Sequence, residues 1–371
     1  MCPTPIVFDI GEFSSKIGFS SENDPRYVFY TIVGTPKYQD LQMNYTNNSK
    51  AYYVGNEVAN SMGLYKIYKP IILGKIDDWV LFEQILDYAF YLLKVDPTLV
   101  NVLYTYHPYF SSDDRNKLME LFFDKYQVAG FYPVLDSLLT MYSGGFQTGL
   151  CVEMGASSIR IVPIFESYKI EHAIQVIEIG GTTIDSFMLK VLKGAGYSAN
   201  SSVQKELVRV LKERACFVSL EYENDMKNKN KYKKEYSLPD GNVIELSYER
   251  FYVPELLFKP SLFNIEQKSL PEAIIDSIEQ CDIDIRSKLL HNIFISGGSS
   301  NFPQLEYRLK DELELELVKR GYEKRNVRII APKGREFSCW IGGSILGYIP
   351  EFQSSWITRA QYYRGEFPED L

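Results

Sequence analysis

Apolar runs with strand character alternate with runs of helical period from one end of the chain to the other, which is the pattern of an α/β protein. Residues 5–10 predict a buried strand and residues 16–19 its hairpin partner. Trp79, Phe82, Ile85, Leu86, Ala89 and Leu93 recur at helical spacing behind Asp77 or Asp78, so residues 77–95 predict a capped helix. Residues 100–106 predict a strand, and residues 112–126 a capped helix with acidic residues in its first turn, where they complement the helix dipole. A second hairpin follows over 150–153 and 159–164, then a strand over 173–179 and a helix from about Thr183. Residues 204–223 predict one long helix. A strand over 292–296, a helix after Phe302, a strand over 327–331 and a helix from about Trp340 complete the series.

The two hairpins resemble each other. Asp9-Ile-Gly11 is followed by Lys16, and Glu153-Met-Gly155 by Arg160. Each block puts a carboxylate at the end of an apolar strand, a glycine two residues on, small polar residues in the turn and a cation seven residues after the carboxylate. The blocks lie 144 residues apart, which suggests two similar α/β halves with a ligand in the cleft between them. A glycine turn with a nearby cation can wrap a phosphate chain. Asp9 and Glu153 suit the outer shell of a hydrated Mg2+, which keeps several waters and takes one or two carboxylates. Either hairpin alone is equally an ordinary β-turn. Ile179-Gly-Gly-Thr-Thr183 and Ile295-Ser-Gly-Gly-Ser-Ser300 add weight, because each ends an apolar strand with paired glycines and then offers hydroxyls to cap a helix.

Composition removes several alternatives. The chain has 371 residues, a formal charge of −8, 45% hydrophobic and 24% charged residues, which is ordinary globular composition. The acidic balance argues against nucleic acid as a direct partner, and the one basic-looking stretch, Lys227–Lys234, reads as a solvated loop. No apolar run reaches the length of a membrane span, so no membrane partner is expected. Five cysteines without a CxxC pair argue against a disulfide framework or zinc site, and three scattered histidines against a His-based metal site or Ser/His/Asp hydrolase.

With these motifs in place the chain resembles the actin and actin-related protein family, nearly end to end. The resemblance is carried by DIGEFSSKIGF (Asp9–Phe19), DPRYVFYTIVGTPKY (Asp24–Tyr38), YVGNEV (Tyr53–Val58), PELLFKPSLF (Pro254–Phe263), ISGGSSNFP (Ile295–Pro303) and IIAPKGREFSCWIGGSIL (Ile329–Leu346). It implies an actin-like ATPase fold: two ribonuclease-H-like halves with inserted subdomains and a nucleotide cleft between them. The expected first half is 1–136 with 335–371, including 33–69 as its small subdomain; the second is 137–334, with about 180–260 as the smaller subdomain. The implied cofactors are ATP or ADP with Mg2+ or Ca2+, and Asp9 and Glu153 would hold the metal through water. Asp9, Gly11, Glu12, Phe13 and Lys16 match the first phosphate loop; Glu153, Gly155, Ala156 and Ser157 match the second. Gly181, Arg209, Lys212, Glu213, Gly297, Gly298, Ser299, Phe302 and Glu336 match the adenosine side. The helical spacing of Arg209, Lys212 and Glu213 equally fits a solvated helix face.

Departures from actin gather on the phosphate side. Glu12 stands where actins carry a Ser touching the γ-phosphate, and Phe13 replaces a Gly. Glu153 replaces an Asp, Ala156 an Asp that contacts nucleotide, Ser157 a Gly, and Arg160 a His near the attacking water. Asp136 aligns with the Gln that positions that water, and Glu336 replaces a Lys beside the base. The catalytic candidates are therefore Asp136 and Arg160, and weakened or altered hydrolysis is expected alongside retained nucleotide binding.

The resemblance further implies a cytoplasmic, cytoskeletal protein that assembles head to tail with itself or other actin-family subunits, and that offers a barbed-end groove to actin-binding proteins. The loop 38–52, with Leu41, Met43 and Tyr45 alternating, matches the segment that docks into a neighbouring subunit; it equally fits a surface loop. Leu262, Phe263 and Ile265 match the apolar plug, expected to face solvent. The N-terminus lacks an acidic run, Leu73 replaces a methylated His and the tail 364–371 diverges, all of which argue against conventional myosin. A non-polymerising scaffold or capping subunit with a degraded ATPase site is the alternative, and a sugar-kinase or chaperone relative a more distant one.

Overall fold

The computed structural model describes residues 4–37, 51–194, 196–197, 201–237, 241, 243–323 and 326–367. Leu41, Met43 and Tyr45 of the expected docking loop lie outside the described residues. The chain divides into two compact units, Met1–Gln147 with Phe337–Leu371, and Thr148–Glu336.

In the first unit the principal sheet runs in the order Ile357–Thr358, Gly130–Leu135, Asn101–Tyr106, Ile6–Ile10, Ser14–Phe19, Tyr27–Tyr30. The strand Ile6–Ile10 is antiparallel to Ser14–Phe19 and parallel to Asn101–Tyr106. It reads as an unbroken apolar run because both of its faces are covered. Ile6 and Phe8 turn toward the helix Trp79–Leu93, where the Phe8 and Phe90 rings meet edge to face at 5.1 Å. Val7 turns the other way, toward Trp340 and Leu139. Trp340 is fully buried, and its indole N–H donates to the Val7 carbonyl at 3.3 Å. The helix Ser338–Tyr348 can lie against Asp136–Ser143 because Gly342 has no side chain: a Cβ there would sit 1.8 Å from the Leu139 carbonyl oxygen. A small sheet, Val33–Pro36 between Tyr53–Val54 and Tyr65–Tyr68, completes this unit's strands together with the hairpin Ile71–Ile72 and Lys75–Ile76.

The second unit repeats the topology. Its sheet runs Tyr168–Lys169, Ile159–Phe165, Gly149–Met154, Ile293–Ser296, Ile329–Ile330, with Gln175–Ile177 also on Ile159–Phe165. In both units a central hairpin gains an antiparallel strand on one side and parallel strands on the other. These are two ribonuclease-H-like sheets. Helices Gly181–Gly194, Ser202–Ala215, Leu270–Glu279 and Leu305–Lys319 bury their apolar faces in this unit's core. No helix among the described residues is long and apolar enough to cross a membrane.

Three local expectations change. The long helix expected over 204–223 ends at Ala215, and a separate short helix occupies Tyr222–Lys227. Between them Phe217 donates its amide to Arg250 O at 2.9 Å and Val218 to Pro303 O at 3.0 Å, so distant backbone outcompetes helix propagation. The helix Ser112–Glu120 widens into a π turn over Leu121–Lys125. That extra residue lets both Phe122 and Phe123 reach the core under Phe131. The expected solvent-facing plug is corrected as well: Phe263 is buried, its ring 5.0 Å from Phe187 and 4.9 Å from Tyr252, and only Leu262 is well exposed. An aromatic ring gains more inside such a cluster than at its tip.

The second unit also buries charge. Arg308, on Leu305–Lys319, donates from Nη1 to Ser219 O at 2.6 Å, from Nε to Glu312 at 2.8 Å and from Nη2 to Glu255 Oε1 at 3.1 Å. Because the guanidinium is shared among three acceptors, burial outweighs its pull and pushes the Glu255 carboxyl up to about 7, from an ordinary 4.5. A carboxyl with a raised folded-state value binds more protons folded than unfolded. Its stabilising contribution is therefore full below about pH 4.5 and lost as pH rises through about 7. Urea unfolding at pH 5.5 and pH 8 should show wild-type stability falling relative to Glu255→Gln by on the order of 2 kcal/mol. Parallel pH profiles for the two proteins would remove Glu255 as the cause.

Candidate functional site

In the first unit, Asp9 and Lys16 stand opposite each other across the hairpin, with Nζ 3.3 Å from Oδ2. Thr105 Oγ1, from the neighbouring parallel strand, donates to Asp9 Oδ1 at 3.2 Å. The turn is closed by the Gly11 amide donating to Ser14 O at 3.2 Å. The Lys16 ammonium lies over this turn, 3.8 Å from where a Gly11 Cβ would be. Phe13 anchors the loop: its ring meets Tyr30 edge-on at 5.3 Å and its carbonyl accepts the Thr31 amide at 3.1 Å. Ser15 and Thr31 share a buried hydroxyl contact of 2.8 Å beneath it. Glu12 sits half-buried in the same turn.

The second unit holds the equivalent device. Glu153 and Arg160 are cross-strand partners, with Nη2 3.0 Å from Oε2, and the Gly155 amide donates to Ser158 O at 2.9 Å. Carboxylate, cation, glycine and turn hydrogen bond thus recur at the same relative positions in both units, so the sequence repeat is a structural repeat.

Around this second turn three backbone segments converge. Gly155 O accepts the Gly181 amide at 3.1 Å and the Ser299 hydroxyl at 2.8 Å. Ala156 O accepts both the amide and the hydroxyl of Thr182, at 2.7 and 2.9 Å. Glycine is required at the crossings. A Cβ at Gly180 would lie 2.4 Å from Ala156 O, and one at Gly181 2.8 Å from Ser299 Oγ. Gly297 combines a φ of +86° with a Cβ position 2.4 Å from Met154 O. At Gly298 a Cβ would meet open space. The first amides of the helix Gly181–Gly194 are consequently spent on turn carbonyls, which assigns Gly181 to holding the turn. Gly180, Thr182 and Arg335 belong to this frame, although sequence reasoning assigned them no site role. The paired glycines and following hydroxyls signalled Gly180 and Thr182, whereas Arg335 had no signal. Arg335 clamps the Gly297 turn by donating to Ser300 O at 2.6 Å and Ser300 Oγ at 2.9 Å.

The adenosine-side candidates separate. Lys212 is buried, with Nζ 2.7 Å from Asp185 Oδ1 and 3.4 Å from Gly181 O, so the solvated-face alternative fails for it. Burial holds the Asp185 carboxyl above the usual carboxylate range despite the pull of Lys212. Arg209 pairs with Glu206 and Glu213; the Glu213 side chain is 53% exposed, as a solvated face requires, whereas that of Arg209 is only 13% exposed. Phe302 is buried in the unit's core. Glu336 accepts from Asn301 Nδ2 at 3.1 Å, tying residue 336 to the same turn.

For chemistry, the first turn presents the Lys16 ammonium beside its backbone, and the same turn carries the Glu12 carboxylate. Asp9 and Glu153 each hold a cation while remaining carboxylates able to accept from the waters of a hydrated ion. Among the described residues no three His, Cys, Asp or Glu side chains gather as a closed metal site. The two carboxylate–cation pairs beside glycine turns are of a kind that fits a phosphate chain with a water-held divalent ion. Asp136 is buried at the start of its helix, its Oδ1 accepting the Ser137 amide at 2.7 Å. Arg160 is committed to Glu153, and a guanidinium stays charged, which excludes it as a base.

The packing distinguishes adjacent glycines. Gly297→Ala should cost about 3 kcal/mol of stability through strain and overlap, and hydrogen exchange should speed up over 154–158. Gly298→Ala should leave both within about 0.5 kcal/mol of wild type. Equal effects at the two positions would contradict the close approach.

A comparison with known families agrees with this frame. The family model for actin matches residues 3–365. The match takes in both units and all the hairpin and glycine turns described above. The chain belongs to the actin family, whose fold is that of a nucleotide-binding ATPase.

Proposed function

We propose that this chain binds adenine nucleotide with its phosphates on the turns at Gly11 and Gly155, and uses the bound nucleotide as a clamp that sets the geometry of head-to-tail assembly, with weakened hydrolysis. The equivalence of the two hairpins carries this reading: Asp9 with Lys16 and Glu153 with Arg160, at distances of 3.3 and 3.0 Å, each beside a glycine turn. One such turn is a common loop; two in matching registers of repeated sheets, in a family of nucleotide binders, are not.

In this proposal Lys16 neutralises phosphate charge, and Asp9 and Glu153 orient the waters of a divalent cation. The bound metal would supply charge neutralisation across the phosphates. Gly298, with open space beside it, leaves room for the nucleoside, and the buried pair Lys212 and Asp185 fixes the helix that backs it. Hydrolysis is weakened because Arg160 cannot take a proton and Glu12 adds negative charge where the phosphates would develop more. Asp136 is the remaining group competent by type to orient a water. A ligand that favours one arrangement of two units shifts the population toward it, which is how a clamp controls assembly without turnover. Cytoskeletal localisation follows from the same reading. The specific observation favouring a non-polymerising scaffold instead is Glu12, whose charge weakens the nucleotide that assembly would need.

Titration of the purified chain with ATP and Mg2+ should show Glu12→Ser binding tighter by about 1 kcal/mol or more, roughly fivefold, since two unit charges 4 Å apart repel by about that much in water. Unchanged affinity would remove Glu12 from the account. Sedimentation with ATP should show a concentration-dependent pellet with slow phosphate release. A chain that binds ATP and never pellets would be the scaffold, and one that binds no nucleotide would overturn the proposal.

A further inference from the structure

The stretch 227–234, expected to be a solvated loop, forms with residues 235–237 a folded and strongly basic surface. Lys227, Lys229, Lys231, Lys233 and Lys234 are all exposed, against one acidic residue, Glu235. Of the five, only Lys233 has an ion-pair partner among the described residues, Glu245 at 3.0 Å. Their backbone is held at several points. Ser247 Oγ donates to Lys229 O at 2.6 Å, Arg250 Nη1 to Tyr232 O at 2.9 Å, and the Tyr232 hydroxyl to Asp225 at 2.6 Å. Residues 234–237 then pair with Val243–Leu246 as a hairpin. Three ammonium groups lie over aromatic rings: Lys229 on Tyr248 at 5.4 Å, Lys231 on Tyr232 at 5.9 Å and Lys234 on Tyr236 at 5.5 Å.

Such a patch costs folding energy through self-repulsion, which an unused solvated loop has no reason to bear. Because its backbone is held by hydrogen bonds, a partner binding here loses less to backbone ordering than it would on a lysine tail without such bonds. The kind of partner follows from the charge of the rest. The whole chain carries −8, so outside this patch it is more acidic still. A membrane or a duplex presents an extended negative surface that would meet that acidic remainder. A slender acidic peptide meets the patch alone.

We propose that the lysine surface 227–234 is a docking site for an acidic peptide segment of a partner protein, independent of the nucleotide turns. Its complement is a run of Asp and Glu steered in by charge.

A fluorescein-labelled decaglutamate peptide titrated into the full chain tests this by anisotropy. Binding should weaken about tenfold between 50 and 300 mM salt, as expected for exposed charges. The triple variant Lys229→Gln, Lys231→Gln, Lys234→Gln should lose about tenfold in affinity, which is what three exposed ion pairs supply together. The same positions changed to Arg should bind as wild type, which guards against misfolding as the cause. Lys75→Gln, Lys94→Gln, Lys190→Gln, an equal charge change elsewhere, should shift affinity less than twofold. No binding at 50 mM salt, or equal losses in both Gln triples, would overturn the proposal. So would patch-dependent binding to phosphatidylserine vesicles or single-stranded RNA with none to the peptide.

Discussion

Close backbone approach is the constraint on which the second unit's turn depends. The hairpin turn after Met154, the Gly180–Gly181 turn and the Gly297–Gly298 turn meet at main-chain carbonyls, joined by amides and by the Thr182 and Ser299 hydroxyls. Any Cβ at Gly180 or Gly297 would overlap a carbonyl. Once the segments are that close, carbonyls 155 and 156 are satisfied by amides and hydroxyls from the other two, and the turn becomes a fixed object. The price is conformational: four glycines must be ordered in two short turns. Buried strands on either side, Gly149–Met154 and Ile293–Ser296, run parallel and hold the turn bases in register.

The first unit reaches an equivalent turn by different means. There a ring, Phe13 on Tyr30, and a buried hydroxyl pair, Ser15 with Thr31, anchor the loop to the adjoining strand. What the units share is narrower than the whole loop: a carboxylate and a cation paired at the second cross-strand position from the turn, with glycine in the turn itself. The departures from actin fall both inside this shared core, at Glu153 and Arg160, and around it. Phe13 illustrates the point. It replaces a glycine of the family pattern, and its ring is accommodated by turning into the strand Tyr27–Tyr30.

Much of this was legible in the sequence wherever a single segment carries its own signal. The strand Ile6–Ile10 and the helix Trp79–Leu93 follow from apolar periodicity, and the hairpin repeat from its constant spacing. Features decided by distant partners were not legible. Residues 204–223 keep a helical pattern throughout, yet the chain leaves the helix at Cys216 because Arg250 and Pro303 offer better hydrogen bonds. Lys212 looks like a surface cation until Asp185, on another helix, is seen against it. Phe263 sits in an apolar segment that fits a solvent-facing plug, and only the rings of Phe187 and Tyr252 show that it points inward. The paired glycines announced two special turns, but not that Gly297 is packed and Gly298 open. Family resemblance gave the residues their expected roles, and the structure adds the packing and hydrogen bonds that hold several of them in place.

The central claim is that both glycine turns take the phosphates of one nucleotide. Hydrogen exchange of the full chain, with and without ATP and Mg2+, measures this at the amides of residues 11–14 and 155–158. Slowed exchange in both turns at the same ATP concentration is the predicted result. Protection of one turn without the other, or of neither while ATP is bound, would contradict it.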